Sequence, residues 1–360
     1  MDWDISGSTV GISKVWDRNH VRARRSLAAT CIVVSLFLLV LSGCDSESMF
    51  GSSSSASERA LQIVDPASVV LAHVDIDKGL ESIDSFVFQS EEAKQEMDSA
   101  MNEISSLMGF NPREDVHHLF LSVSSMDRSA RMGMIAFVDF DQQTMTSRLN
   151  EAEELSKTSS AGKTDIYQLL DSEEVQFALV DGNMIFVSNE ANALDGMIAR
   201  SQRSDGGFSL DDALFNAVKS REHWLVVRNV DGMLSEVGNL ATGDQFAQLM
   251  PAVKAVQSVA VGLNTSGSDI EGALFIQPNS QVSAKDLASV FSGFRAAARM
   301  QFEGEEIILD QIEKLDIDTS NGLVRIRMEN DKDELLDLFK QLGSRLKDIA
   351  QDYTNQEVSE

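Results

Sequence analysis

Apolar positions along this chain alternate, from Leu61 onwards, between short continuous runs and runs with a helical period. Continuous apolar runs bounded by turn residues are typical of β-strands, and the first half contains SVVLAHVDID, HLFLSVS, MGMIAFVDF, DIYQLL, VQFALV and NMIFVS. Between them, apolar residues recur three or four positions apart, which predicts helices near Glu91–Met108, over Gln142–Ser156 and near Ala191–Ser201. This alternation predicts an α+β fold.

The second half repeats much of this order after a Gly-rich break at residues 204–208. The run HWLVVRNVDGMLSEV has the plan of LAHVDIDKGLESI in the first half: an apolar strand, Val-Asp and a Leu-containing helical turn. The later elements are a central strand pair, a helix over Ala284–Met300, a hairpin around Ser320–Gly322 and a closing helix carrying Leu335–Leu346. We therefore predict two tandem modules, residues 61–205 and 206–350, each a largely antiparallel sheet backed by helices, with a polar tail at 351–360.

The first 43 residues follow a different pattern. Lys14 and four arginines, the last of them Arg24 and Arg25, precede a mostly apolar run from Ser26 to Gly43. A basic region followed by an apolar region is the order of an export signal, a segment that is not part of the mature fold. The run also approaches the ~20 apolar residues that span a bilayer, so an uncleaved membrane anchor is the alternative.

The apolar run ends in Leu41-Ser42-Gly43-Cys44, which resembles the lipobox of bacterial lipoproteins. The resemblance implies cleavage between Gly43 and Cys44 and attachment of a diacylglycerol to the Cys44 thiol. Residues 1–43 are then a signal peptide. Residues 44–60 are the lipidated cysteine and a Ser-rich stretch without an apolar period, which we predict to be a flexible tether.

Two neighbouring features bear on export and on the choice of membrane. Arg24-Arg25 partly resembles a twin-arginine export signal, so this route and the ordinary Sec route both stay open. Asp45 resembles a signal for inner-membrane retention in enteric bacteria, and both membranes of the envelope stay open.

Charge and cysteine content narrow the class of partner and of chemistry. The chain carries 57 acidic and 30 basic residues, and cleavage would leave 54 and 25, a net charge of −29. So acidic a chain lacks the basic face that nucleic acid or anionic head groups require. Cleavage would also remove Cys31 and leave Cys44 alone, which excludes disulfides, cysteine catalysis and thiolate metal sites from the folded part.

Two motif-like segments fail on spacing. Gly162-Lys163-Thr164 resembles the end of a phosphate-binding loop, but Lys157 stands where that motif needs glycine, and the segment is predicted between a helix and a strand. Asp316 and Asp318 resemble the start of a calcium loop, but Arg327 stands where a bidentate glutamate is needed. This pair and the similar pair Asp75 and Asp77 are predicted at strand-to-turn junctions, in contact with water, with a weak calcium site as the alternative.

Histidines supply the remaining metal-like candidates. The densest cluster consists of Glu114, Asp115, His117 and His118. Adjacent histidines on a strand point to opposite faces, so His117 and His118 are not expected to bind one ion. His73 and His223 lie on strands of the two predicted modules, where they either share a site or are partly buried strand residues.

No G-x-S-x-G or H-E-x-x-H motif occurs in the chain. We therefore predict no catalytic, cofactor-binding or metal-binding residue, and a non-catalytic binding or structural role. The expected protein is a lipoprotein of the bacterial cell envelope, facing the periplasm or exterior, with membrane contact through Cys44 and a protein partner. The alternatives are a small-ligand-binding protein that uses the cleft between modules and a membrane-tethered hydrolase. The mature chain is loosely similar to uncharacterised exported bacterial proteins with tandem α+β modules.

Overall fold

The computed structural model describes most of the predicted strands and helices, but the helix predicted near Glu91–Met108 lies largely outside the described residues. The described residues are 53–78, 95, 98–99, 101–102, 105–106, 108–124, 130–153, 155–161, 164–169, 175–180, 183–203, 206–229, 251–266, 268–331 and 334. The predicted signal peptide, Cys44, the closing helix after residue 334 and the tail at 351–360 lie outside the described residues.

Twelve strands form one antiparallel sheet in this part of the chain. They are β1 (Val70–Asp75), β2 (Val116–Val123), β3 (Met132–Val138), β4 (Leu155–Ala161), β5 (Thr164–Leu169), β6 (Gln176–Val180), β7 (Met184–Ser188), β8 (His223–Arg228), β9 (Val256–Ser266), β10 (Asp269–Pro278), β11 (Asp316–Ser320) and β12 (Leu323–Asp331). Their order across the sheet is β11-β12-β10-β9-β8-β1-β2-β3-β7-β6-β5-β4. The predicted α+β class with a largely antiparallel sheet is confirmed.

Six helices accompany the sheet among the described elements. They are α1 (Ser53–Ile63), α2 (Gln142–Glu151), α3 (Ala191–Arg203), α4 (Asp212–Val218), α5 (Ala284–Gln301) and α6 (Glu306–Lys314). Asp141, Asp211 and Ser283 begin α2, α4 and α5 by accepting hydrogen bonds from first-turn N–H groups, which lack partners within the helix. Within the described ranges, no helix is both long and apolar enough to cross a bilayer.

Most elements lie where the apolar pattern predicts them, but the region after α2 differs. The helix predicted over Gln142–Ser156 ends at Glu151, and the chain enters β4 at Leu155. The residues after Leu155 are mostly serine and threonine and carry no apolar period. They form a strand because β5 supplies a hydrogen-bonding partner, and because an edge strand needs no apolar face on both sides.

Helices cover the two faces of the sheet in different places. On one face, α1, α3 and α4 pack over the middle of the sheet, around a core that includes Phe120, Phe186, Trp224 and Phe275. On the other face, α2 packs beside β3, β6 and β7, and α5 packs over β9, β10 and β12. The central strand β1 is consequently buried on both faces.

The predicted flexible tether is wrong for residues 53–60, which form most of α1. Ala56, Ser57 and Ala60 are buried, and Ala60 is fully so. Their small side chains let the helix backbone approach its neighbours closely: the N–H of Phe208 donates to the carbonyl of Leu61 at 2.8 Å. A Cβ atom on the intervening Gly207 would lie 2.1 Å from that carbonyl oxygen, so only glycine fits there.

The two halves of the sheet meet where β1 pairs with β8, a junction that we call the seam. The pairing runs from Val70 opposite Val227 to Val74 opposite His223. Arg228 at the end of β8 donates to the carbonyls of Pro66 and Ser68, just before β1. Among the described strands, β1 and β8 form the pair that links β1–β7 to β8–β12.

Candidate functional site

Polar side chains gather at one end of the central strands, where β1 ends and β2 and β8 begin. Asp75 closes β1, His118 lies opposite it on β2, and His223 opens β8. In an antiparallel sheet the carboxyl end of one strand lies beside the amino ends of its two neighbours. This arrangement brings together residues from three distant parts of the chain.

His73 and His118 are in contact on one face of the sheet, and His223 lies beside them at the seam on the other face; we call these three residues the buried histidine cluster. They are 0%, 1% and 0% exposed. His73 Nε2 lies 3.3 Å from His118 Nδ1, so one ring donates a hydrogen bond and the other accepts it. The backbone N–H of Asp75 donates to His223 Nδ1, also at 3.3 Å.

Aromatic rings surround His73 and decide its protonation. Its ring stacks on Phe120 at a centroid distance of 4.5 Å and lies 5.5 Å from Trp224. Burial, helped by the nearby His118 and His223, holds the pKa of His73 well below its ordinary value. Burial, helped by the charge of Lys78, lowers the pKa of His223 to about 3. Both rings are therefore neutral at physiological pH.

His117 makes a separate arrangement next to the cluster. Its Nδ1 lies 2.9 Å from Asp77 Oδ1, and its Nε2 lies 3.1 Å from Asp139 Oδ2. Burial opposes charge on this ring, but the hydrogen bonds and negative charges of the two carboxylates outweigh it and raise the pKa of His117. With both nitrogens engaged, the ring is a charged bridge between two carboxylates and is not placed to shuttle protons to a substrate.

A cavity of about 450 Å³ opens beside the histidine cluster. Lys78, from the first half of the chain, lines one side, and residues from β9, β10, β12 and the turn before β8 line the rest. Glu222 joins the cavity to the cluster, since its carbonyl accepts a hydrogen bond from the N–H of Asp75 at 3.1 Å. Its carboxylate accepts from Thr265 N and Oγ1 at 2.8 and 2.7 Å and lies 3.5 Å from Lys78 Nζ.

Carboxylates dominate the lining of this cavity. Besides Glu222, it contains Asp269, Glu271 and Glu329, against one lysine. Glu271 lies directly opposite Glu329 across β10 and β12, a placement of like charges that disfavours folding. Arg221 offsets part of this repulsion through a 3.1 Å contact with Glu271. The lining suits a polar ligand that carries positive charge.

The aspartate pairs that resemble calcium loops have other partners. Across the β11–β12 hairpin, Asp316 contacts Arg327 at 2.6 Å and Asp318 contacts Arg325 at 2.5 Å, so arginines take the place of an ion. The prediction that Asp75 contacts water is wrong, because β1 lies at the centre of the sheet and leaves Asp75 3% exposed.

The remaining candidates do not converge. His117 and His118 have different partners, as predicted, and the Asp115 carboxylate accepts from the N–H of Asn111 at 2.6 Å. In the described part of the chain, no three His, Cys, Asp or Glu residues are arranged to hold a metal ion.

The loop-like segment at residues 162–164 has a different neighbourhood from the predicted one. Gly162 and Lys163 lie outside the described residues, between the end of β4 and Thr164, which begins β5. The elements on either side are two strands, not the predicted helix and strand, and β5 follows where a phosphate loop needs a helix.

The expectation that the chain has no S-x-x-K motif of a serine nucleophile is wrong, because Ser160 with Lys163 and Ser344 with Lys347 have this spacing. Lys163 and residues 344–347 lie outside the described residues. That spacing aligns two side chains on a helix, whereas Ser160 lies in β4.

The sequence left open whether His73 and His223 share a site, and it contained no sign of the role of Glu222. His73 directly precedes its Val-Asp pair, whereas His223 lies several residues before its own. The repeat therefore did not predict that the two histidines occupy equivalent positions. In the register of the seam, Trp224 lies opposite His73 and His223 opposite Val74, so the two histidines are neighbours along the seam on opposite faces of the sheet.

Comparison with known proteins finds similar structures but no matching family or curated sequence. A scan against protein-family models finds no match to this chain, and a search of curated proteins finds none either. Crystal form III of TP0453 has a TM-score of 0.47 and 10% identity, over 78% of this chain and 97% of its own. Crystal form I has a TM-score of 0.46 with the same identity and coverage. Similarities below a TM-score of 0.5 support no conclusion about this chain.

The charged bridge at His117 predicts a specific pH dependence. Because the folded pKa is raised, the stabilisation is complete below the unfolded pKa of about 6.5 and is lost as pH rises through the folded value. His117→Gln should therefore lower the free energy of unfolding more at about pH 5.5 than at about pH 8.5. The partly exposed Asp139 limits the difference to about 1 kcal/mol. Urea unfolding at both pH values measures it, and an equal loss at both would mean that the ring acts by packing alone.

Proposed function

We propose that this chain is a lipoprotein of the bacterial cell envelope with a non-catalytic binding role. The observation that carries the proposal is the tetrad Leu41-Ser42-Gly43-Cys44 at the end of a basic and then apolar segment. Burial of three histidines supports a role other than acid–base catalysis, because fully buried rings cannot touch a substrate. A membrane-tethered hydrolase is therefore the less favoured alternative.

The start of α1 sets how far the folded part can lie from the lipid. Residues 45–52 separate Cys44 from Ser53, where α1 begins. A fully extended chain spans at most ~3.6 Å per residue, so this segment reaches about 30 Å. The sheet would consequently remain close to the membrane surface, with its acidic side chains facing water.

The cavity beside the histidine cluster is the proposed binding site. Lys78 comes from the first half of the chain and Glu222, Glu271 and Glu329 from the second, so the cavity lies where the halves meet. Its carboxylates favour a basic segment of an envelope protein, and its volume also suits the second candidate function, capture of a small cationic ligand.

We also propose that the two halves are tandem modules with a common strand plan. The order β1-β2-β3-β7-β6 in the first half corresponds to β8-β9-β10-β12-β11 in the second, which supports the proposal. β4 and β5 are an addition to the first half. Equivalent strands β1 and β8 lie side by side in the middle of the sheet.

Substitution of Cys44 tests the lipid anchor. Cys44→Ala removes the thiol that would carry the diacylglycerol, so the precursor should keep its signal segment and incorporate no labelled fatty acid in cells. Cys31→Ala is the matched control, because Cys31 lies within the apolar run and outside the tetrad. Its processing and labelling should equal those of the parent. Normal maturation of Cys44→Ala would refute the lipoprotein proposal.

Site-specific photo-crosslinking in cells tests the binding site. A photoreactive residue in place of Glu329, exposed at the rim of the cavity, should give discrete adducts. The same residue in place of Glu303, exposed outside the cavity, should give none. The charge reversal Asp269→Lys should weaken the adduct at Glu329. Equal labelling at both positions, or none at Glu329, would contradict the proposed site.

A further inference from the structure

We propose that the buried histidine cluster is an acid-sensitive switch that holds the two halves of the sheet together at neutral pH and releases them when it takes up protons. The inference rests on the position of the cluster at the seam, the hydrogen bonds of its ring nitrogens and the charged groups around it. It is independent of the lipid anchor and of any ligand.

The position of the cluster links it to the seam. His73 lies on β1 between Phe120 of β2 and Trp224 of β8. His223 lies at the first position of β8, opposite Val74 of β1. The Asp75 N–H of β1 donates to His223 Nδ1 of β8, so protonation of His223 disrupts a contact across the strand pair that, among the described strands, joins the two halves.

The hydrogen bond between His73 and His118 favours neutral rings. Two neutral imidazoles 3.3 Å apart can share one hydrogen bond, with one nitrogen donating and the other accepting. When both rings are protonated, every ring nitrogen is a donor and no acceptor remains between them. The two positive charges would then face each other among aromatic rings, where charge is costly.

Two buried ring nitrogens of the cluster have no neighbouring group, in the described part of the chain, that could accept a hydrogen bond from them. His73 Nδ1 and His223 Nε2 are buried, and neither has a hydrogen-bond partner among the described residues. The neutral His223 ring already carries its proton on Nε2, because Nδ1 accepts from the Asp75 N–H, so a further proton must go to Nδ1 and face that N–H. A charged His73 ring carries a proton on Nδ1, where it is a buried donor without a partner in the ranges that the structure describes. A neutral ring avoids that cost, so both positions favour the unprotonated state.

The charged groups near the cluster can balance one added proton but not several. They are Asp75 on β1, Lys78 after β1, Glu222 before β8, and His117 with its partners Asp77 and Asp139 beside β2. Helices α1, α3 and α4 contribute apolar side chains to the surrounding core. Asp75 Oδ2 lies 3.9 Å from His118 Nδ1 and can offset one proton there. Lys78 opposes a proton on His223, and His118 opposes one on His73.

The sign of the pH dependence follows from the buried neutral rings. A histidine whose folded pKa is lowered stabilises the fold above its unfolded pKa of about 6.5, and this stabilisation is lost as pH falls. Each such ring reduces the folding constant about tenfold per pH unit below that value. His117, whose pKa is raised, acts in the opposite direction, but it is one ring against two.

Amide hydrogen exchange on the full chain tests the switch directly. After correction for intrinsic rates, peptides from β1 and β8 should exchange about tenfold or more faster at about pH 5 than at about pH 7.5. Peptides from β6 and β7, far from the seam, should change little. Unchanged protection of β1 and β8, or an equal change over the whole sheet, would overturn the proposal.

Two apolar replacements locate the effect in the rings. His73→Leu with His223→Leu removes both buried proton sites, and acidification to about pH 5 should no longer weaken folding by the about thousandfold that two rings supply. His117→Gln is the control variant: it keeps both buried proton sites and loses only the opposing contribution of His117, so β1 and β8 should be at least as acid-sensitive as in the parent. Full acid sensitivity in the double Leu variant would overturn the proposal. If that variant does not fold, the hydrogen-exchange pattern of the parent chain still tests whether acid weakens β1 and β8 selectively.

Discussion

Five residue pairs between β1 and β8, from Val70 with Val227 to Val74 with His223, join the two halves of this chain into one sheet. The same pairing puts Trp224 beside His73 and lets the aromatic core continue from one half into the other. It also brings Lys78 to Glu222, so the cavity exists only because the strands are neighbours. The core, the polar cluster and the cavity therefore depend on one strand pair.

Helix α1 reinforces this junction from one face of the sheet. Arg200 of α3 donates to the carbonyl of Ile63 at 2.7 Å, and Lys219 after α4 contacts Glu58 at 3.1 Å. The helix thus connects with both halves of the chain. Its buried alanines add apolar area to the core that β1 and β8 share. A segment that leads from the proposed lipid anchor is consequently part of the fold that it anchors.

Apolar periodicity predicts much of the sheet, because strands with one apolar face must alternate. β1, β2, β3, β6, β7 and β8–β12 lie close to their predicted places, and the Asn321-Gly322 turn has the positive φ angles that its sequence favours. α1 was missed because serine outweighs alanine in its composition, although Ala56, Ala60 and Ile63 recur at helical spacing. β4 was missed because its pairing with β5, not its own pattern, makes it a strand.

The candidate site was harder to predict than the sheet. His73, His118 and His223 are recognisable as strand residues, but their meeting depends on the register of two strand pairs, which no local pattern encodes. Glu222 carries no motif at all. Its importance comes from its hydrogen bonds to Thr265 and its contact with Lys78, both distant in sequence.

Equilibrium unfolding with two probes tests most directly whether the seam makes the two halves one cooperative unit. In a Trp3→Phe, Trp16→Phe variant of the full chain, Trp224 is the single tryptophan and reports on the seam. Far-UV circular dichroism reports on the whole sheet. At about pH 7.5 the fluorescence and dichroism transitions should coincide at one urea concentration. Two separate transitions, with Trp224 released before the sheet unfolds, would contradict the account.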